Sequence, residues 1–170
     1  MLLDLINFQK IKRAVLYFAV VLVVLGLQNL LFSRIRPLGI AAMFVPAVVV
    51  AIGMFEDGLW GAIFGLITGI LCGIRFNGSL LLFAVLFAAF GFFAGLLSKY
   101  FVNKRFFSYY ALCFAAFVIT AFCQMFRLLF LTDAAPLALL RAGALQVLWS
   151  MFFPALIYFP VKNIVRHQKI

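Results

Sequence analysis

The sequence predicts an all-α integral membrane protein: one domain over residues 1–170, folded as a six-helix transmembrane bundle with both termini in the cytoplasm. Three observations carry this expectation. Hydrophobic residues make up 68% of the chain and charged residues only 11%, against roughly 45–50% and about 25% in water-soluble domains. That much apolar surface exceeds what one small core can bury, so hydrocarbon has to solvate the rest. The apolar residues gather into six runs separated by short polar gaps. Lys plus Arg outnumber Asp plus Glu by 14 to 4 and fall mainly within those gaps, where positive charge fixes membrane orientation.

A span needs about 20 mostly apolar residues to cross about 30 Å of hydrocarbon. The first run, residues 14–32, follows Lys10, Lys12 and Arg13. It is longer than the apolar stretch of a secretory signal and carries no small-residue cleavage site, so it is expected to remain as the first helix. Ser33, Arg34, Ile35, Arg36 and Pro37 end it, with Pro37 suited to a first helical turn. The second run, residues 38–55, contains Pro46 near its middle, where a kink is expected. Glu56, Asp57 and Gly58 form an acidic turn before the third run, residues 59–74, which is short and glycine-rich. Asn77-Gly78 marks the next turn.

The fourth run covers residues 80–98, and a basic loop with Lys99, Lys104 and Arg105 follows it. The fifth covers residues 108–132 and closes at Asp133 and Pro136. The sixth covers residues 137–161, with Pro154 and Pro160 late in it, before a basic tail of Lys162, Arg166 and Lys169. With both termini inside, the cytoplasmic gaps hold nine basic residues. The outer gaps hold three, Arg34, Arg36 and Arg75. The asymmetry favours cytoplasmic termini. Gaps this short force successive helices to be antiparallel neighbours.

The basic residues are dispersed along the chain and do not form the footprint of a nucleic-acid binder, so no nucleic-acid partner is expected. Cys72, Cys113 and Cys123 all lie in apolar runs without a paired spacing, which reads as small buried hydrophobes. His167 lies in the basic tail, and Asp4, Glu56, Asp57 and Asp133 sit at interfaces or in the tail. Neither a metal ligand set nor an intramembrane nucleophile with its base is legible. No catalytic, cofactor or metal site is expected, and the chain reads as a non-enzyme.

Glycine spacing is the most informative pattern. Gly61, Gly65, Gly69 and Gly73 recur every four residues in the third run, and Gly91 and Gly95 repeat the interval in the fourth. Residues four apart share a helix face, and a face without side chains lets another backbone approach closely. The seam serves packing of the third helix on the fourth or docking of a partner helix. The intramembrane polar candidates are Gln124 and Arg127 in the fifth run, and Arg141 and Gln146 in the sixth. Arg127 either snorkels to the outer headgroups or pairs with Gln124 or Asp133, and Arg141 is a second possible partner for Asp133. Gln28 and Asn29 close the set.

The middle of the chain resembles the bacterial rod-shape-determining MreD family. Pro46 in its helix, the Phe55–Gly58 turn, the glycines at 61, 65, 69, 91 and 95, and the Gln124-Met-Phe-Arg127 segment carry the likeness, which covers most of the chain. One position departs: the family's aspartate at the end of the third helix is Gly73 here. The resemblance implies a non-enzymatic scaffold of the cell-elongation complex in the bacterial plasma membrane, surrounded by membrane lipid and guiding cell shape and lateral peptidoglycan synthesis. It also implies partners: the bitopic protein MreC, and through it the MreB filament and RodA with its transpeptidase. The family is similar in fold to the S components of energy-coupling-factor importers, which supply the competing expectation of a vitamin-capture subunit. Helix one carries Ala14 and Ala19, not the small-residue stripe with which an S component meets its coupling subunit.

Overall fold

The computed structural model describes residues 8–34, 43–75, 80–100, 106–131 and 136–166. All regular structure within them is helical: α1 (Phe8–Arg34), α2 (Val45–Phe55), α3 (Gly58–Arg75), α4 (Leu80–Tyr100), α5 (Phe106–Leu131), α6 (Pro136–Ser150) and α7 (Pro154–Arg166). In hydrocarbon a helix satisfies its own backbone groups, so even the valine-rich sequence of α2 is helical despite its modest intrinsic propensity. By length and apolarity, α1, α4 and α5 can each cross a membrane, and α6 with α7 adds a fourth candidate when the bent pair is counted as one span. The protein is therefore all-helical with three to four candidate spans among the described residues.

Two expectations are corrected. The sixth run is two helices, because α6 ends at Ser150 and α7 begins at Pro154 with a bend of 44° between them. A proline lacks an N–H and disfavours helical geometry in the residue before it, so Phe153 is where the chain breaks. Pro160, by contrast, stays inside α7. In the second run, Met43 and Phe44 are outside the helix and Pro46 occupies its first turn. There its missing N–H has no intrahelical partner to lose, so it opens the helix and does not kink it. The part of this run before residue 43 lies outside the described residues. So do Arg36, Pro37, Asn77-Gly78, Lys104, Arg105, Asp133 and His167.

Every residue of α2 is buried. At 11 residues it is only about 16 Å long, and α1, α3, α4, α5 and α7 pack around it. Tyr17, Val21 and Val24 of α1 join its residues in the main core, with Tyr109, Cys113 and Phe117 of α5 and Tyr158 and Val161 of α7. A second cluster sets Val45 and Val49 against Cys72 of α3 and Phe83 and Phe87 of α4. The outer faces remain apolar: Leu22, Ile63, Val85, Phe93, Phe122 and Leu156 are exposed.

The ends of the helices sort into two groups. Arg13 near the start of α1 reaches Glu56 at the α2–α3 turn. Ser98 near the end of α4 donates to the Met54 carbonyl. Tyr158 of α7 packs on Phe55 and on Phe106 at the start of α5, with ring centroids 5.4 and 5.2 Å apart. Lys12, Arg13, Lys99 and Lys162 thus collect at one end of the bundle, while Arg141, early in α6, lies toward the other.

Candidate functional site: a glycine seam and two polar clusters

The glycine face of α3 meets α4 backbone to backbone, in antiparallel register. A Cβ placed on Gly61 would strike the Gly91 carbonyl and lie 2.6 Å from Gly53 Cα. On Gly65 it would lie 2.7 Å from the Phe87 carbonyl carbon, and on Gly69 2.6 Å from Ala84 Cα. On Gly95 it would run into the backbone of Gly58. Real Cβ contacts essentially never fall under 3.0 Å, so each position requires glycine for steric reasons alone. Close approach of this kind supplies the packing attraction that lipid cannot match. Gly73 is buried one turn further along α3. The α3 stripe is thus occupied by α4, and Gly53 of α2 enters the same junction.

The first polar cluster lies at the α6–α7 break. Non-helical backbone at membrane depth is tolerated only where it is enclosed and its groups find partners. Here hydroxyl side chains provide them. The Met43 N–H donates to Ser150 Oγ at 3.0 Å, and Tyr110 OH donates to the Met151 carbonyl. The Met151 N–H returns to the Val147 carbonyl at 3.1 Å, and the Phe153 N–H to Ser150 at 3.2 Å. Phe44 and Phe153 stack at 4.7 Å, clamping the two irregular segments face to face. Gln146 Nε2 donates to Gln124 Oε1 at 3.3 Å, and Gln124 Nε2 donates to Met43 Sδ at 2.8 Å.

Two of the sequence candidates, Gln124 and Gln146, therefore meet across α5 and α6. Arg127 lies in α5 with its side chain outside the described residues, and Arg141 is exposed on α6. A cavity of about 10 Å³, bounded partly by Thr120, Gln146 and Ser150, adjoins this cluster. Two buried atoms outside this network, Gln28 Oε1 and Trp149 Nε1, have no hydrogen-bond partner among the described residues.

The second cluster joins α1 to the α2–α3 turn. Tyr17 OH donates to Glu56 Oε1 at 2.8 Å, and Arg13 Nη1 stands 3.6 Å from the same oxygen. Asp57 accepts from the Gly58 N–H at 3.0 Å, placing a carboxylate at the positive end of the α3 dipole. A cavity of about 60 Å³ lies among Arg13, Ala14, Tyr17, Glu56 and Trp60. Sequence reasoning placed Glu56 in a turn and Arg13 in a flank, but missed their pairing because nothing local encodes a contact across 43 positions.

Among the described residues, no three His, Cys, Asp or Glu side chains are placed to hold a metal ion. Cys72 and Cys113 are buried thiols, and Cys123 is half-buried. The chain matches no family model, none of the curated proteins and none of the solved structures with which it was compared.

Proposed function

We propose that this chain is a non-enzymatic scaffold of the bacterial cell-elongation complex. It would sit in the cytoplasmic membrane and regulate cell shape and lateral peptidoglycan synthesis through lateral contacts with an MreC-like bitopic protein. MreB, RodA and the transpeptidase partner would be engaged indirectly. The observation that carries the reading is the division of surfaces. Four polar side chains of α5 and α6 turn inward to hold the bundle together, through Tyr109 to Ala47, Tyr110 to Met151 and Gln146 to Gln124, while Arg141 is exposed. The outward faces are apolar on every long helix. Such a molecule offers its environment helix surfaces for packing, and the glycine pattern at 61, 65, 69, 91 and 95 is the one that resembles MreD.

The same reading assigns six crossings and cytoplasmic termini. The start of α1 and the end of α7 lie at the same end of the bundle, which supports an even number of crossings. The clustering of Lys12, Arg13, Lys99 and Lys162 there supports a cytoplasmic assignment.

Purification in a gentle detergent followed by mass spectrometry tests the proposal. An MreC-like chain should be recovered, and depletion should round a rod-shaped cell. Recovery of a coupling-factor ATPase, with vitamin auxotrophy and normal shape on depletion, would instead identify a vitamin-capture subunit.

A further inference from the structure

The Arg13–Tyr17–Glu56 cluster has a position and chemistry that bundle packing alone does not use. Arg13 lies in the first turn of the apolar stretch of α1 that begins at Ile11, so the cluster stands at a membrane boundary. Trp60, more than one-third exposed, is a residue type enriched at that depth. The Arg13 and Glu56 side chains are only 23% and 18% exposed, so their charges are partly desolvated and act more strongly than surface charges. Arg13 Nη1 lies 3.6 Å from Glu56 Oε1. Glu56 Oε1 serves both Tyr17 and Arg13, and a carboxylate has acceptor sites on its other oxygen as well.

We propose that the recess among Arg13, Ala14, Tyr17, Glu56 and Trp60 binds the headgroup of a phospholipid carrying a primary ammonium, of the phosphatidylethanolamine type. The recess presents one charge of each sign, and this headgroup is a zwitterion whose charges are separated by a two-carbon arm. Its volume of about 60 Å³ suits the aminoethyl arm, three heavy atoms long. The ammonium donates to Glu56 beside the Trp60 ring, while the phosphate stays at the mouth, near Arg13 and the exposed Lys12. A choline headgroup has no N–H to give Glu56, and a glycerol headgroup has no cation. The site does not depend on the scaffold reading.

The test uses the full chain in detergent, with native mass spectrometry of retained lipid and thermal unfolding as readouts. Phosphatidylethanolamine should be retained over phosphatidylcholine by about tenfold, the factor one charge-assisted hydrogen bond supplies. The preference should fall stepwise through the mono- and dimethylated headgroups. Glu56→Gln should abolish it. Trp60→Leu, which leaves the Tyr17 and Arg13 contacts in place, should weaken it. Equal retention across the methylation series would overturn the proposal, as would preferential retention of phosphatidylglycerol. Binding of soluble phosphoethanolamine as tight as that of the lipid would overturn the assignment to a membrane lipid.

Discussion

Gly91→Ala adds one methyl group at the tightest point of the bundle. The new Cβ would strike the Gly61 carbonyl and come within 3.0 Å of Gly61 Cα. Ordinary contact begins at 3.4 Å, and both obstacles are backbone, so no side chain can rotate away. The α3 and α4 backbones must part by roughly 1 Å locally, and a gap of that size forfeits about a quarter to a half of each pair's dispersion attraction. Because Gly53 shares the junction, α2 is disturbed as well. Overpacking of this kind costs about 1–3 kcal/mol. The helix-propensity gain of Ala over Gly, about 1 kcal/mol in water, offsets little in a membrane, where the separated helices are already helical.

The expected result in detergent is a melting temperature lowered by several degrees, at about 2–4 °C per kcal/mol for a chain of this size. Unfolding can be followed by fluorescence of Trp60 and Trp149. Gly26→Ala is the matched control, since a Cβ there meets nothing within 4 Å, and it should melt at or slightly above the parent. If Gly91→Ala equals the parent, or Gly26→Ala falls as far, backbone contact is not what holds the seam together.

Three further outcomes follow from the same geometry. Ser150→Ala leaves the buried Met43 N–H without its acceptor and should destabilise the protein by about 1–3 kcal/mol in the same melt; an unchanged melt would mean that the α6–α7 break is held otherwise. Gln146→Leu removes one interhelical hydrogen bond but leaves Gln124 bonded to Met43, so its cost should stay near the 0.6 kcal/mol average for such bonds in membranes, and a loss above about 2 kcal/mol would show a larger network. Cys113, with no exposed surface, should resist a membrane-permeant maleimide until the protein is unfolded in SDS; rapid labelling of the native protein would place that face of α5 outside the core.

Much of the helix layout was legible because hydrocarbon imposes a coarse, one-dimensional code. Apolar runs gave the segments, and a four-residue glycine interval gave the face of α3 that α4 covers. Gly53 was missed, although it and Gly61 lie four residues either side of Asp57, which sets them opposite one another in a helical hairpin. The split of the last run had a local signal in Pro154, but an apolar run through 151–153 hides a break whose backbone groups are satisfied by Ser150 and by Tyr110 from another helix. The Gln124–Gln146 pair was half legible: polarity marked both residues, while their meeting depends on how α5 and α6 are rotated. The Arg13–Tyr17–Glu56 cluster was illegible for the same reason, since each of its residues reads as an ordinary flank, span or turn until tertiary packing joins them.

These attachments differ in what can loosen them. The α3–α4 seam rests on steric fit between backbones, which lipid composition barely alters. The α1 attachment is of another kind. Only 17% of its apolar window is buried, against 28% for α4 and 33% for α5, and its core contribution is the narrow stripe of Tyr17, Val21 and Val24. Apolar exposure costs nothing in hydrocarbon, so the outward face of α1 offers no restoring force. What fastens it at the basic end is the Tyr17–Glu56 hydrogen bond together with the Arg13–Glu56 ion pair, and the strength of the ion pair depends on the local dielectric and on competing ions. The element most open to a neighbouring helix is therefore also fastened by the contact most sensitive to its surroundings. A headgroup or partner charge at Glu56 would act on the angle and register of α1 and leave the α2–α3–α4 core as it is.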